Sequence, residues 1–224
     1  MDGLLEVAAL MAAAVFGGME TVYGYWAYCG DEEPFHKVWK SRLFYSSFLL
    51  WWAVLLIVWY GAAAAGQDWR GIMPGSESIL AVRFAAIFIT YLLLTGVDIR
   101  RKIVPDRILL CSLVSQLLMA ASSQEAAQWG RCLIEGIIFM AVLLAIAWIL
   151  RGGLGMGDAK LLGMTAMTAG WMYAFWLLIV GMVISFFIGI WMLVFRKMSA
   201  KTEMPFVPFL TAGMAAQVLY LLKA

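Results

Sequence analysis

Six carboxylates lie within or at the edges of long apolar runs: Glu20, Glu77, Asp98, Asp106, Glu135 and Asp158. An acid held in lipid is costly, so each is a candidate for function. Asp98 closes one run and Asp158 opens another, so helices of opposite polarity can bring them together. Two close carboxylates do not readily ionise together, and one of them keeps a proton. Such a pair can hydrolyse an amide. One member activates water as a base while the other, as an acid, polarises the scissile carbonyl, with no nucleophilic serine or metal required.

The remaining acids have plainer readings. Glu135 follows Arg131 by four residues, which places the two on one helix face as a surface pair. Asp106 follows Pro105 at the start of an apolar run, where helix N-capping is the default and substrate handling the alternative. Glu77 opens a run and reads as a helix-dipole partner. Glu20 has no evident partner and faces either a polar groove or another helix.

Asp158 lies in Arg151-Gly-Gly-Leu-Gly-Met-Gly-Asp-Ala-Lys160. Four glycines strip side chains from the backbone before the acid, permitting positive φ and close approach of another chain. A plain loop-to-helix junction capped by Asp158 fits the same spacing. The GxxxxGK[ST] pattern of a phosphate-binding loop is absent.

The elements that position these acids follow from composition. Of 224 residues, 64% are hydrophobic and 13% charged, against about 25% charged in a soluble domain. The apolar runs suit helices crossing about 30 Å of hydrocarbon. The expectation is an all-α polytopic membrane protein with eight spans near 4–29, 43–65, 77–97, 107–122, 131–150, 159–172, 174–195 and 207–222. The fourth, sixth and eighth are short. A hairpin around Gly170–Tyr173 joins the sixth and seventh. The acidic N-terminus, with Asp2 and Glu6, is unlike a cleavable signal peptide, so the first run reads as a retained span.

Charge orients the spans. Twelve of the 16 basic residues lie after spans 1, 3, 5 and 7: Lys37, Lys40, Arg42, Arg100, Arg101, Lys102, Arg107, Arg151, Lys160, Arg196, Lys197 and Lys201. The opposite side has Arg70, Arg131 and Lys223, and Arg83 lies inside span 3. Both termini are therefore expected outside, with Asp98 and Asp158 at the inner face. Trp51, Trp52, Trp59 and Tyr60 suit interfacial anchoring. Cys29, Cys111 and Cys132 are scattered and His36 is the sole histidine. They read as free thiols and a loop residue, and neither metal nor cofactor is expected.

Three segments carry a family resemblance. Gly155-Met156-Gly157-Asp158-Ala159-Lys160 resembles the GxGD-x-K signature of type 4 prepilin peptidases, which are membrane aspartyl proteases. Asp98-Ile-Arg-Arg-Lys-Ile-Val-Pro-Asp106 resembles their first-aspartate segment. Met204-Pro205-Phe206-Val207-Pro208-Phe209 resembles their PFGPF-like motif, with Val207 in place of the usual glycine. The three occur in the family's order and together cover about 84–224.

The resemblance implies Asp98 and Asp158 as catalytic residues, with Gly155, Gly157, Lys160, Asp106, Pro205 and Pro208 supporting them or binding substrate. It implies cleavage of pilin-like or pseudopilin-like precursors, each a short basic leader before a hydrophobic helix, at the cytoplasmic face of a bacterial inner membrane. It implies a six-helix peptidase core at 77–224 after an N-terminal transmembrane hairpin region at 1–76. The Gly30–Arg42 loop is too short for the cysteine-rich domain of bifunctional members, so N-methyltransferase activity is not expected. Protein substrate and lipid are the expected partners, and nucleic acid is not. The alternatives are a non-catalytic membrane assembly factor, which the presence of both aspartates disfavours, and a small ion-coupled transporter, for which no internal symmetry is seen.

Overall fold

A computed structural model describes residues 2–29, 46, 48–55, 57, 77–121, 126–150, 154–195 and 204–221. All regular structure among them is helical: α1 (Asp2–Cys29), α2 (48–55), α3 (Glu77–Arg101), α4 (Asp106–Ala121), α5 (Ala126–Ile149), α6 (Met156–Ala169), α7 (Trp171–Phe195) and α8 (Val207–Leu221). By length and composition, three stretches among the described residues can cross a membrane: Val82–Arg101, Trp129–Ile149 and Trp171–Phe195. The chain is a membrane protein. Its widest apolar exposure is on α7, where Phe186, Phe187, Trp191 and Phe195 all face outward, a surface that suits lipid.

α6 has 14 residues and rises about 21 Å, short of the hydrocarbon thickness. It lies inside the bundle, with every residue from Leu161 to Ala169 buried. Its largest interface is with α5, and small residues make it close. A side chain at Gly136 would collide with the Met167 backbone, and one at Gly163 with Met140. These positions are four apart on each helix, so the two faces interlock reciprocally. α6 stops at Gly170, whose φ of 92° few other residues adopt. Since α7 starts at Trp171, the turn expected over Gly170–Tyr173 is a single residue.

Polar contacts set the register of α3 against α6. Arg83 is fully buried. Its Nη2 donates to Thr168 O at 2.8 Å and its Nε to Gln116 Oε1 at 3.2 Å. Its guanidinium lies 3.6 Å from the Trp129 ring centroid. A cation on the last carbonyls of α6 also meets the negative end of the helix dipole. Further along, the Tyr91 and Thr165 hydroxyls are 2.7 Å apart. These contacts run up α3 and down α6, so the helices are antiparallel and Asp98 and Asp158 fall at the same end.

Glu20 faces another helix. It accepts from Thr90 Oγ1 at 2.8 Å, and Ser112 Oγ lies 3.0 Å from that hydroxyl, joining α1, α3 and α4. Trp51 is a correction to the interfacial-anchor expectation. Its ring is buried over Gly17, where no side chain would fit, and its Nε1 donates to Thr21 Oγ1 at 3.1 Å. Trp52 packs partly buried against the same cluster, while Trp59 and Tyr60 lie outside the described residues, as does His36. Cys111 and Cys132 are buried free thiols. Arg131 pairs with Glu135 at 2.7 Å on the surface, as its spacing indicated.

Candidate active site

The site is built at the junction of α3 with α4 and the start of α6. α3 continues past its expected end at 97 to Arg101, so Asp98 lies in its last turn. The helix closes on Lys102, whose φ is 56° and whose N–H donates to Asp98 O at 2.8 Å. After the turn, Pro105 O accepts the N–H groups of Ile108 and Leu109 and starts α4. An open cleft of about 390 Å³ lies beside this turn, lined by Asp98, Lys102, Ile103, Val104, Asp106, Gly155, Met156, Gly157, Asp158 and Lys160.

Asp98 is only 5% exposed. Its Oδ2 accepts the Val207 N–H at 3.0 Å, and the Phe206 N–H is a second donor to the same carboxylate. Val207 is the first residue of α8 and Phe206 the one before it, a helix start where unpaired N–H groups and the positive end of the dipole favour an anion. An oxygen that accepts an N–H does not also present a proton toward it, so a proton on Asp98 belongs on Oδ1.

Asp158 sits in the first turn of α6. Burial pushes its carboxyl up from the usual aspartate range to about 7, the nearby Asp98 adds to the rise, and the Gly155 N–H opposes it. A carboxyl raised that far keeps its proton at a higher pH than an ordinary aspartate does.

The glycines act by leaving room. Gly155 has φ −68°, an ordinary extended conformation. A Cβ there would lie 2.6 Å from Asp158 Oδ2, and one at Gly157 would lie 2.9 Å from Val104 Cβ. The expectation of positive φ therefore does not apply to these two, while Gly152 and Gly153 lie outside the described residues. The capping reading of Asp106 is likewise corrected. Its two carboxylate oxygens accept from Lys160 Nζ at 2.7 and 2.9 Å, bridging the start of α4 to the start of α6. Asp158 is not the cap residue of α6: Gly155 holds that position, and its N–H donates back to the Asp158 carboxylate.

Thus Asp98, Asp106, Gly155, Gly157, Asp158 and Lys160 share one cleft. The family model for type IV leader peptidases matches residues 85–194. Over that segment the chain is similar to the type IV leader peptidase family. No curated protein and no solved structure matches the chain. The matched segment contains all six of those residues. Pro205 and Pro208 lie beyond it and do not line the cleft. They flank Phe206 and Val207, the two residues whose amides reach Asp98. Sequence reasoning noted Val207 only as a departure from a glycine. A backbone donor leaves no trace in side-chain identity, and the nearest available signal was the position of the Pro-rich motif at the start of the last span.

Proposed function

We propose that this membrane protein is an aspartyl endopeptidase. Its substrates are type IV prepilin-like or pseudopilin precursors, from which it removes the short basic leader at the cytoplasmic face of a bacterial inner membrane. The observation that carries the reading is the placement of Asp98 and Asp158 on one open cleft, with Asp158 raised to about 7. The unequal surroundings of the two acids separate their roles. Asp158 is the proton donor, and Asp98, held by amides at the start of α8, is the carboxylate base.

The reaction follows from those roles. A water between the acids gives a proton to Asp98 as its oxygen attacks the scissile carbonyl carbon, while Asp158 delivers its proton to the carbonyl oxygen. The resulting gem-diol collapses when Asp98 returns a proton to the amide nitrogen and the C–N bond breaks. Asp158 then recovers a proton from one diol hydroxyl, leaving a new carboxylic acid and a new amine, between which a proton passes in water. No covalent intermediate forms.

The basic residues clustered after alternate spans support the inward orientation of this cleft, with both termini outside and eight spans in all. Residues 77–224 form the peptidase core in this reading, and the sequence from Gly30 to Arg42 supports a peptidase without N-methyltransferase activity. The test is to reconstitute the full chain in lipid with precursors of the type IV pilus, competence, tight-adherence and type II secretion classes. Mass spectrometry is expected to find one precursor class cut at a single bond between the basic leader and the hydrophobic helix. A chain that accumulates folded in the membrane and cleaves none of them would refute the proposal.

A further inference from the structure

A basic leader approaching this cleft meets a basic surface in the sequence: Arg100, Arg101, Lys102 and Arg107 all lie within the turn between α3 and α4. The structure sorts these charges. The Arg100 guanidinium lies 4.5 Å from the Tyr28 ring centroid, and that of Arg107 lies 5.6 and 5.8 Å from those of Tyr23 and Trp26. Both guanidinium groups are thus directed toward the last turns of α1, and none of Arg100, Arg101 and Arg107 lines the cleft, which leaves Lys102 as the one basic residue of that turn on the lining. The acids of the same turn are on the cleft side. Asp98 and Asp158 lie deeper, and Asp106 stands at the mouth with its side chain 69% exposed.

Asp106 already carries a lysine. The Lys160 ammonium bonds both of its oxygens, and the Lys160 side chain is itself 39% exposed. The carboxylate therefore has the geometry to hold a primary ammonium, and with its side chain 69% exposed on the cleft lining it has room to accept from a second donor. We infer that Asp106 is a specificity-determining residue that docks a basic side chain of the leader at the mouth of the cleft. The inference rests on the peptidase reading above. It places the leader on the Asp106 side of the cleft, with the scissile bond deeper, between Asp98 and Asp158. Lys160 holds Asp106 in place between substrates and shares it when the leader arrives.

The experiment compares two precursors that differ only in the leader, one with its lysines and arginines intact and one with each replaced by glutamine. KM and kcat are measured for the wild type, Asp106→Asn, Asp106→Ser and Asp106→Glu, each confirmed to accumulate in the membrane. The wild type is expected to show a KM for the basic leader about fivefold below that for the neutral one, the effect of one partly exposed ion pair. Asp106→Asn and Asp106→Ser should raise the basic-leader KM to the neutral-leader value with kcat within about twofold, and Asp106→Glu should keep the preference. Added salt should raise the wild-type KM for the basic leader and leave that of Asp106→Asn unchanged. A purely structural role for the Asp106–Lys160 pair would lower turnover of both leaders alike, and that result, or a leader preference that survives in Asp106→Asn and Asp106→Ser, overturns the inference. Wild-type protein that cleaves neither leader refutes the peptidase reading itself, an outcome separable from the first because it is independent of Asp106.

Discussion

The backbone N–H of Val207 donates to Asp98 Oδ2 at 3.0 Å, joining residues 109 positions apart in the chain. The contact makes the start of α8 part of the site. Two hydroxyl contacts hold the same two helices together one turn further in, where Thr95 Oγ1 and Thr211 Oγ1 are 2.7 Å apart and Thr211 Oγ1 lies 3.3 Å from Tyr91 O.

The amide can be removed selectively. Val207 is the first residue of α8, a position where proline is accommodated because its N–H has no helical partner. Val207→Pro therefore deletes the donor while the helix start is kept. A hydrogen bond to a charged group contributes about 1.5–3 kcal/mol, so kcat should fall roughly 10- to 100-fold. Val207→Ala keeps the amide and removes only buried methyl groups. It should lower thermal stability in detergent and leave kcat near wild type. Equal kcat losses in the two variants would show that packing, and not the amide, matters.

The glycines before Asp158 make a second prediction. Gly155 has a conformation that alanine adopts without strain, but its Cβ would press on Asp158 Oδ2. Gly155→Ala should reduce leader cleavage at least about tenfold, since small displacements of reacting groups have large effects on rate. Gly130→Ala, at a position with open space around it, should match the wild type in the same assay. An unimpaired Gly155→Ala would mean that Asp158 does not work from the position seen here.

The pH dependence follows from Asp158. With its carboxyl at about 7, the proton donor is lost as the medium becomes more alkaline, and kcat/KM should decline through a limb near pH 7. The sign for stability is the same. Between the ordinary aspartate value and about 7 the folded protein holds a proton that the unfolded chain has released. Stability therefore falls with rising pH across that window and is level above it. Apparent melting in detergent from pH 4.5 to 8 should show this slope in the wild type and a weaker one in Asp158→Asn. A pH-independent difference between the two would contradict the raised carboxyl.

Much of this was legible in the sequence where a single helix or a local spacing carried the information. The ends of α1, α6 and α8 fall within about three residues of their expected positions, Arg131 and Glu135 pair at four-residue spacing, and Asp98 and Asp158 share one end of the bundle. The features that were missed depend on partners from distant spans. Arg83 looked misplaced inside an apolar run, because Gln116, Thr168 and Trp129 meet it only after α4, α5 and α6 assemble. Trp51 has the composition of an interfacial residue, and it is buried because Gly17 leaves a slot for its ring. Asp106 has the local signature of a cap, yet a lysine 54 residues later takes its carboxylate. The spacing singled out the glycines before Asp158, but whether Gly155 and Gly157 supply unusual φ or room for a neighbour depends on backbone geometry.

The central claim is that Asp98 and Asp158 act as one catalytic pair. The most direct measurement is leader release from a basic-leader precursor by Asp98→Asn and Asp158→Asn, each nearly isosteric, with membrane accumulation of each variant measured alongside. Abolished cleavage in both, at wild-type protein levels, is the expected result. Normal processing by either variant would contradict the pair.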